Sequence, residues 1–190
     1  MRWMWIDQIT TFEPNRRMVA VKNVSLAEEH LHQHFAAGPD GPACPVMPMS
    51  LMVEGMAQTA GVLVGSVNRF REKVILAKVN DARIDREVIP GQTIRYDATI
   101  ERMDAAGAST MGLIDVLDHR TGSWERIGEI SLMFSHIDAN RSGLQFPEHN
   151  FVFSDNFRLI LEQAGLGSLA DGAAPDGDRA DVGPHERANG

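Results

Sequence analysis

From Pro48 to Val67 the chain carries almost no polar side chain on any face, and this run constrains the fold more than any other feature. Proline stands at the expected first helical position, and a helix that is apolar all round is a buried one. Its small residues, Gly55, Ala57, Ala60, Gly61 and Gly65, lower helix propensity in isolation but let other backbone approach closely. A sheet wrapped around the helix would use them. A membrane span is not expected. Residues 45–65 contain Glu54 and Gln58, a charge near mid-span is costly in lipid, and the strands that follow need a wet face.

Strand-like patterning flanks the run. Before it, Met18-Val-Ala-Val-Lys-Asn-Val24 predicts a strand near residues 17–24. After it come 74–79, 93–102, 109–117 and 125–135. In the second and fourth of these, Ile94, Tyr96, Ala98 and Ile100, then Ile130, Leu132 and Phe134, alternate with polar residues, which gives strands one buried and one wet face. Pro90-Gly91, Ala106-Gly107 and Thr121-Gly122 mark turns, and an antiparallel meander is the simplest connection. One buried helix with strands on both sides of it in sequence is an α+β layout, a sheet on a single helix.

Beyond Phe134 the pattern weakens. Residues 154–165 read as a short helix with a polar cap before it and glycine after it, docking through Phe157, Ile160, Leu161 and Ala164. From about Ser168 the chain is rich in Ala, Asp, Gly and Pro, and ordering it would gain too little burial to offset chain entropy.

With 190 residues, 43% of them apolar, the chain fits one domain with tails. Its net charge of −8 is concentrated late, since residues 135–190 hold 4 Arg against 9 Asp and Glu. No concentrated basic face is available for nucleic acid. Arg69, Arg71, Lys73, Lys78, Arg83 and Arg86 make a local patch that reads as a solvated rim or as a docking site. The single cysteine, Cys44, has no partner for an internal disulfide, and the first residues lack a signal-peptide layout, so a reducing, cytoplasmic location is expected.

Glu54 falls in the second turn of the apolar helix, with Gln58 one turn further on the same face. Burial disfavours the charged form of a carboxyl, and a carboxylic acid kept protonated near neutral pH is a competent general acid. A carboxylate satisfied by Gln58 and backbone donors is the competing reading. His30, His32 and His34 alternate, so in an extended segment they would share a face. Zinc with Cys44 or Glu54 is conceivable there, but so Glu- and His-rich a segment also reads as a solvated strand end, and no metal is expected. A Cys44/His34 nucleophilic pair lacks any sign of thiolate activation.

Taken together, Glu13-Pro, Arg17-Met-Val-Ala-Val-Lys-Asn-Val24, His34-Phe35, Pro45-Val-Met-Pro48 and Glu54-Gly-Met-Ala-Gln58 resemble the 3-hydroxyacyl-(acyl-carrier-protein) dehydratases of the FabA/FabZ type. Val88-Ile-Pro-Gly91 and Glu129-Ile-Ser-Leu-Met-Phe134 continue the match, which covers roughly residues 5–135. The resemblance implies a hotdog fold, an antiparallel sheet wrapped around one long buried central helix, over 1–136. A C-terminal extension with a short docking helix over 137–167 and a disordered tail over 168–190 would follow.

The resemblance further implies a homodimer, with a trimer of dimers as a further assembly, acting on acyl chains carried by acyl carrier protein or CoA, without a cofactor. His34 of one chain and Glu54 of the other would flank an acyl tunnel, His34 as base at the α-carbon and Glu54 as acid at the β-hydroxyl. Backbone N–H next to Met49 would polarise the thioester carbonyl, and Gln58 would orient Glu54. Two departures stand out. The family's His-Phe-Pro-Gly is His34-Phe-Ala-Ala37 here, with a Gly/Pro-rich insert around 38–44, and the glycine after Pro-Val-Met-Pro is Met49. If the insert shifts the register, His32 would replace His34 as the base. A hotdog thioesterase and a non-catalytic acyl-binding subunit are the alternative functions.

Overall fold

A computed structural model describes residues 4–33, 37–39, 41–137 and 155–170. Six strands form one sheet: β1 Gln8–Glu13, β2 Arg17–Asn23, β3 Lys73–Ile84, β4 Thr93–Asp104, β5 Gly107–Asp118 and β6 Ser123–Ile137. Between β2 and β3 lie the short helix α1, Glu29–Gln33, and the long helix α2, Met49–Val67. Every strand pairing is antiparallel, in the order β1-β2-β4-β5-β6-β3. The simple meander therefore holds for β4, β5 and β6, while β3 crosses to the far edge and pairs with β6. The crossover follows from α2, which separates β2 from β3 and packs against β2 to β6.

Alternation sets the inner face. Ile94, Tyr96 and Ala98 of β4, Ile114 and Val116 of β5, and Ile130, Leu132 and Phe134 of β6 are all buried. Against them α2 buries Met52, Met56, Ala60, Leu63 and Val64. The helix needs a flat inner surface to come this close. Gly112 supplies it, since a Cβ there would sit 2.2 Å from Met56 Sδ.

Proline caps α2 without entering it: Pro48 is the N-cap, and its carbonyl accepts from Leu51 and Met52 N–H. The helix is less enclosed in the single chain than its composition suggests. Leu51, Val53, Glu54, Ala57, Gln58 and Gly61 form a half-buried stripe that the chain's own described residues leave partly open. At its other end Arg69 and Phe70 adopt left-handed φ of 52° and 56° and fold the Phe70 ring over Gly65.

Past β6, helix α3, Asp155–Gln163, buries Phe157, Ile160 and Leu161 in the main core, near β1, with Ala164 packed beside them. Gly165, at φ 73°, closes it. Residues 168–170, expected in the disordered tail, belong to the short helix α4, Gly167–Ala170, and Leu169 is packed half-buried against the core. The rest of that tail, 171–190, lies outside the described residues.

Candidate active site

Glu54 and Gln58 come together as their spacing demands. One helical turn apart, they place Gln58 Nε2 3.0 Å from Glu54 Oε1. The other end of the carboxamide is also engaged, because Gln58 Oε1 accepts the backbone N–H of Trp5 at 2.9 Å. A backbone N–H can only donate, so this contact fixes which end of the amide faces Glu54. Glu54 thus receives a hydrogen bond on Oε1 and sits half-buried on the open stripe of α2.

Met49 opens the same helix. Its N–H and that of Ser50 precede the first intrahelical bonds and so are available to a ligand. The Met49 side chain is 45% exposed at the rim of a cleft of 550 Å³ lined also by Met47, Pro48, Met52, Ile84 and Arg86. Glu54 lies five residues further on, about 7.5 Å along the axis, and does not line that cleft.

His34 and Phe35 lie outside the described residues, as does the side chain of His32. The segment leading to them is helical rather than extended. In α1, positions 30 and 32 fall on different faces, which removes the one-face arrangement considered for a shared metal. Cys44 is exposed.

Around this centre the structure adds a polar cluster that patterning missed. Lys22 is on the core side of β2, in phase with Met18 and Ala20, and is 5% exposed. Its ammonium donates to the Asn23 carbonyl at 2.9 Å, lies 3.4 Å from Asp7 and forms a short ion pair with Glu28. Glu28 in turn lies 4.0 Å from the His30 ring, and His30 meets the Trp5 indole edge-on, with centroids 5.0 Å apart. Trp5, Lys22, Glu28 and His30 thereby connect the start of α1, a few residues before His34, to the segment that holds Gln58. A lysine at an apolar phase of a strand was the available signal. Tyr96 lies beneath Gly55 with its hydroxyl buried and without a hydrogen-bond partner among the described residues. Burial pushes its ionisation far above the usual phenol range, and the charges of Asp7 and Glu28 add to that.

The basic residues run along β3 and its flanks, with Lys73 and Lys78 on the strand itself. Arg69 and Arg71 precede β3, Arg83 pairs with Asp85 near its end, and Arg86 pairs with Glu125.

A FabA-like domain model matches residues 2–120. The chain belongs to this family. The FabA-like chain is 35% identical over 138 residues to the 3-hydroxyacyl-(acyl-carrier-protein) dehydratase FabZ of Symbiobacterium thermophilum, covering 72% of this chain and 89% of the relative. It is 36% identical over 116 residues to the protein of the same name from Solibacter usitatus, covering 60% and 67%. Among solved structures, a dehydratase heterocomplex from Xenorhabdus doucetiae superposes with a TM-score of 0.54 at 15% identity, over 72% of this chain and 84% of that one. A thioesterase family protein from Silicibacter pomeroyi also gives 0.54, at 11% identity, over 68% and 83%. Identities this low speak to the fold alone, and that fold is the hotdog.

Proposed function

We infer that this FabA-like protein is a hydro-lyase that dehydrates 3-hydroxyacyl thioesters to 2-enoyl thioesters in fatty-acid or related lipid biosynthesis. The observation that carries the reading is a carboxyl, Glu54, held by Gln58 on the open stripe of the central helix in a chain of this family. In the reaction, neutral His34 takes the proton from the α-carbon, and protonated Glu54 delivers a proton to the departing β-hydroxyl. The C–O electron pair leaves with water, and the α-carbon pair becomes the trans-2 double bond. Negative charge developing on the thioester oxygen is met by N–H at the start of α2, beside Met49.

His34 of one chain is proposed to work with Glu54 of its partner in a homodimer. Supporting this, β3 is an edge strand whose Leu76 and Val79 are 39% and 40% exposed, the kind of edge that pairs with another strand. The half-open stripe of α2 also needs a cover. The acyl group is proposed to arrive on acyl carrier protein, with CoA as the alternative carrier, in the cytoplasm. Among the described residues no helix is long and apolar enough to cross a membrane.

The test is hydration of a crotonyl thioester by the purified protein, followed beside release of free thiol. Hydration without thiol release is expected, and thiol release without hydration would make the protein a thioesterase instead.

A further inference from the structure

The Gln58 carboxamide has two orientations of nearly equal shape and opposite chemical meaning. With Nε2 toward Glu54, the amide donates to Oε1, and the acid proton resides on the other oxygen, Oε2, where a substrate hydroxyl can receive it. With the amide reversed, Gln58 Oε1 would face Glu54 and accept the acid proton itself. A proton held in that Glu54–Gln58 bond is withheld from the leaving group.

What selects the first orientation lies outside α2. The donor to Gln58 Oε1 is the main-chain N–H of Trp5, 53 positions away in sequence and 2.9 Å away in space. Trp5 is well anchored for the task. Its side chain is 6% exposed and set edge-on against His30, Ile6 beside it is 1% exposed, and the Asp7 N–H ties the next turn of chain to the Val21 carbonyl at 2.7 Å. A main-chain donor on an anchored segment cannot rotate away as a side chain could.

We propose that the backbone N–H of Trp5 is a positioning group for the dehydration: by locking the Gln58 carboxamide it makes Glu54 Oε2 the proton-delivering oxygen. The proposal rests on Glu54 being the acid. Trp5 touches neither substrate nor the reacting atoms and acts through Gln58. Because it governs proton delivery rather than binding, its loss falls on kcat.

The experiment replaces Trp5 in the full-length protein by its α-hydroxy acid, which turns the amide into an ester and removes the N–H while keeping the indole. The comparison is the protein made by the same route with tryptophan. On a 3-hydroxybutyryl thioester, kcat is expected to fall about tenfold with KM changed by less than about twofold. Trp5→Phe, which keeps the N–H and an aromatic ring, is the control and is expected to keep kcat within about twofold of wild type. Unchanged kcat in the ester protein, or a rise in its KM alone, overturns the proposal. Glu54→Gln, assayed alongside, separates the two levels. If it is inactive while the ester protein keeps full kcat, only the Trp5 inference fails, whereas an active Glu54→Gln protein removes the acid on which both depend.

Discussion

The Tyr96 ring fills the space where any side chain at Gly55 would begin: a Cβ there would come 2.4 Å from Tyr96 Cζ and 2.5 Å from its hydroxyl. The residue next to Glu54 is therefore glycine because β4 passes directly beneath it. Gly55→Ala must push α2 off the sheet or displace a wholly buried ring. It is expected to destabilise by about 1–3 kcal/mol, as overpacking does, and to lower kcat because Glu54 moves with its neighbour. Urea unfolding and steady-state kinetics on one preparation test both effects, and an alanine variant with wild-type stability would show that the ring yields freely.

The same tyrosine gives a prediction of opposite sign. Its hydroxyl is buried without a partner among the described residues, and an unmade hydrogen bond of this kind costs about 1–3 kcal/mol. Tyr96→Phe is expected to raise stability by about 1 kcal/mol at neutral pH. A pH dependence accompanies it. Burial raises the phenol's folded-state pKa, so wild type keeps its neutral-pH stability below the ordinary phenol value of about 10 and loses stability above it, as the unfolded chain ionises and the folded one does not. The Tyr96→Phe protein should lose less stability than wild type between roughly pH 9 and 11, as read from denaturation midpoints.

On the wet side of the sheet, Asp115 is nearly buried and receives Arg95 Nη2 at 2.9 Å, Arg95 Nε at 3.1 Å and Arg126 Nε. Arg95 in turn lies over the Trp124 ring, 4.2 Å from its centroid. Asp115→Ala frees two guanidinium groups that water partly reaches, so a loss of about 1–3 kcal/mol is expected. Trp124 should report the change, with fluorescence altered in the folded state. Unaltered emission would mean that the stack does not depend on Asp115.

Whether the acid and base come from different chains is decided by mixing. His34→Ala and Glu54→Gln proteins, each expected to be inactive, are unfolded together and refolded. Random pairing makes half the dimers mixed, and a shared site leaves one working site in each, so the rate should return to about a quarter of wild type. No recovery from a verified mixed dimer would place both residues in one chain.

Much of this was legible in the chain, and the exceptions have physical causes. The helix at 49–67 and the strands β2, β4, β5 and β6 carry their own periodicity, so their positions could be read directly. The start of β3 was visible, but its far end, with Asn80, Asp81 and Arg83, is too polar and too exposed to alternate. The partner of β3 was hidden because pairing across a crossover leaves no local trace. Glu54 and Gln58 were found because one helical turn separates them. Trp5 was not, because its part is played by a main-chain N–H that every residue except proline possesses. Lys22 was visible as a charge in an apolar phase, though its partner Glu28 sits in an irregular stretch without periodicity.

The placement of β3 has a consequence for how the protein is made. A ribosome releases β3 well before β6, yet β6 is the strand β3 pairs with, and β4 and β5 must be laid down between them. Until Ile137 emerges, β3 lacks the strand it pairs with, and Leu76 and Val79 stay without that partner. Its many charged residues then act as gatekeepers against premature pairing with a neighbouring nascent chain. The pairing that completes the sheet joins its last strand in sequence to its third.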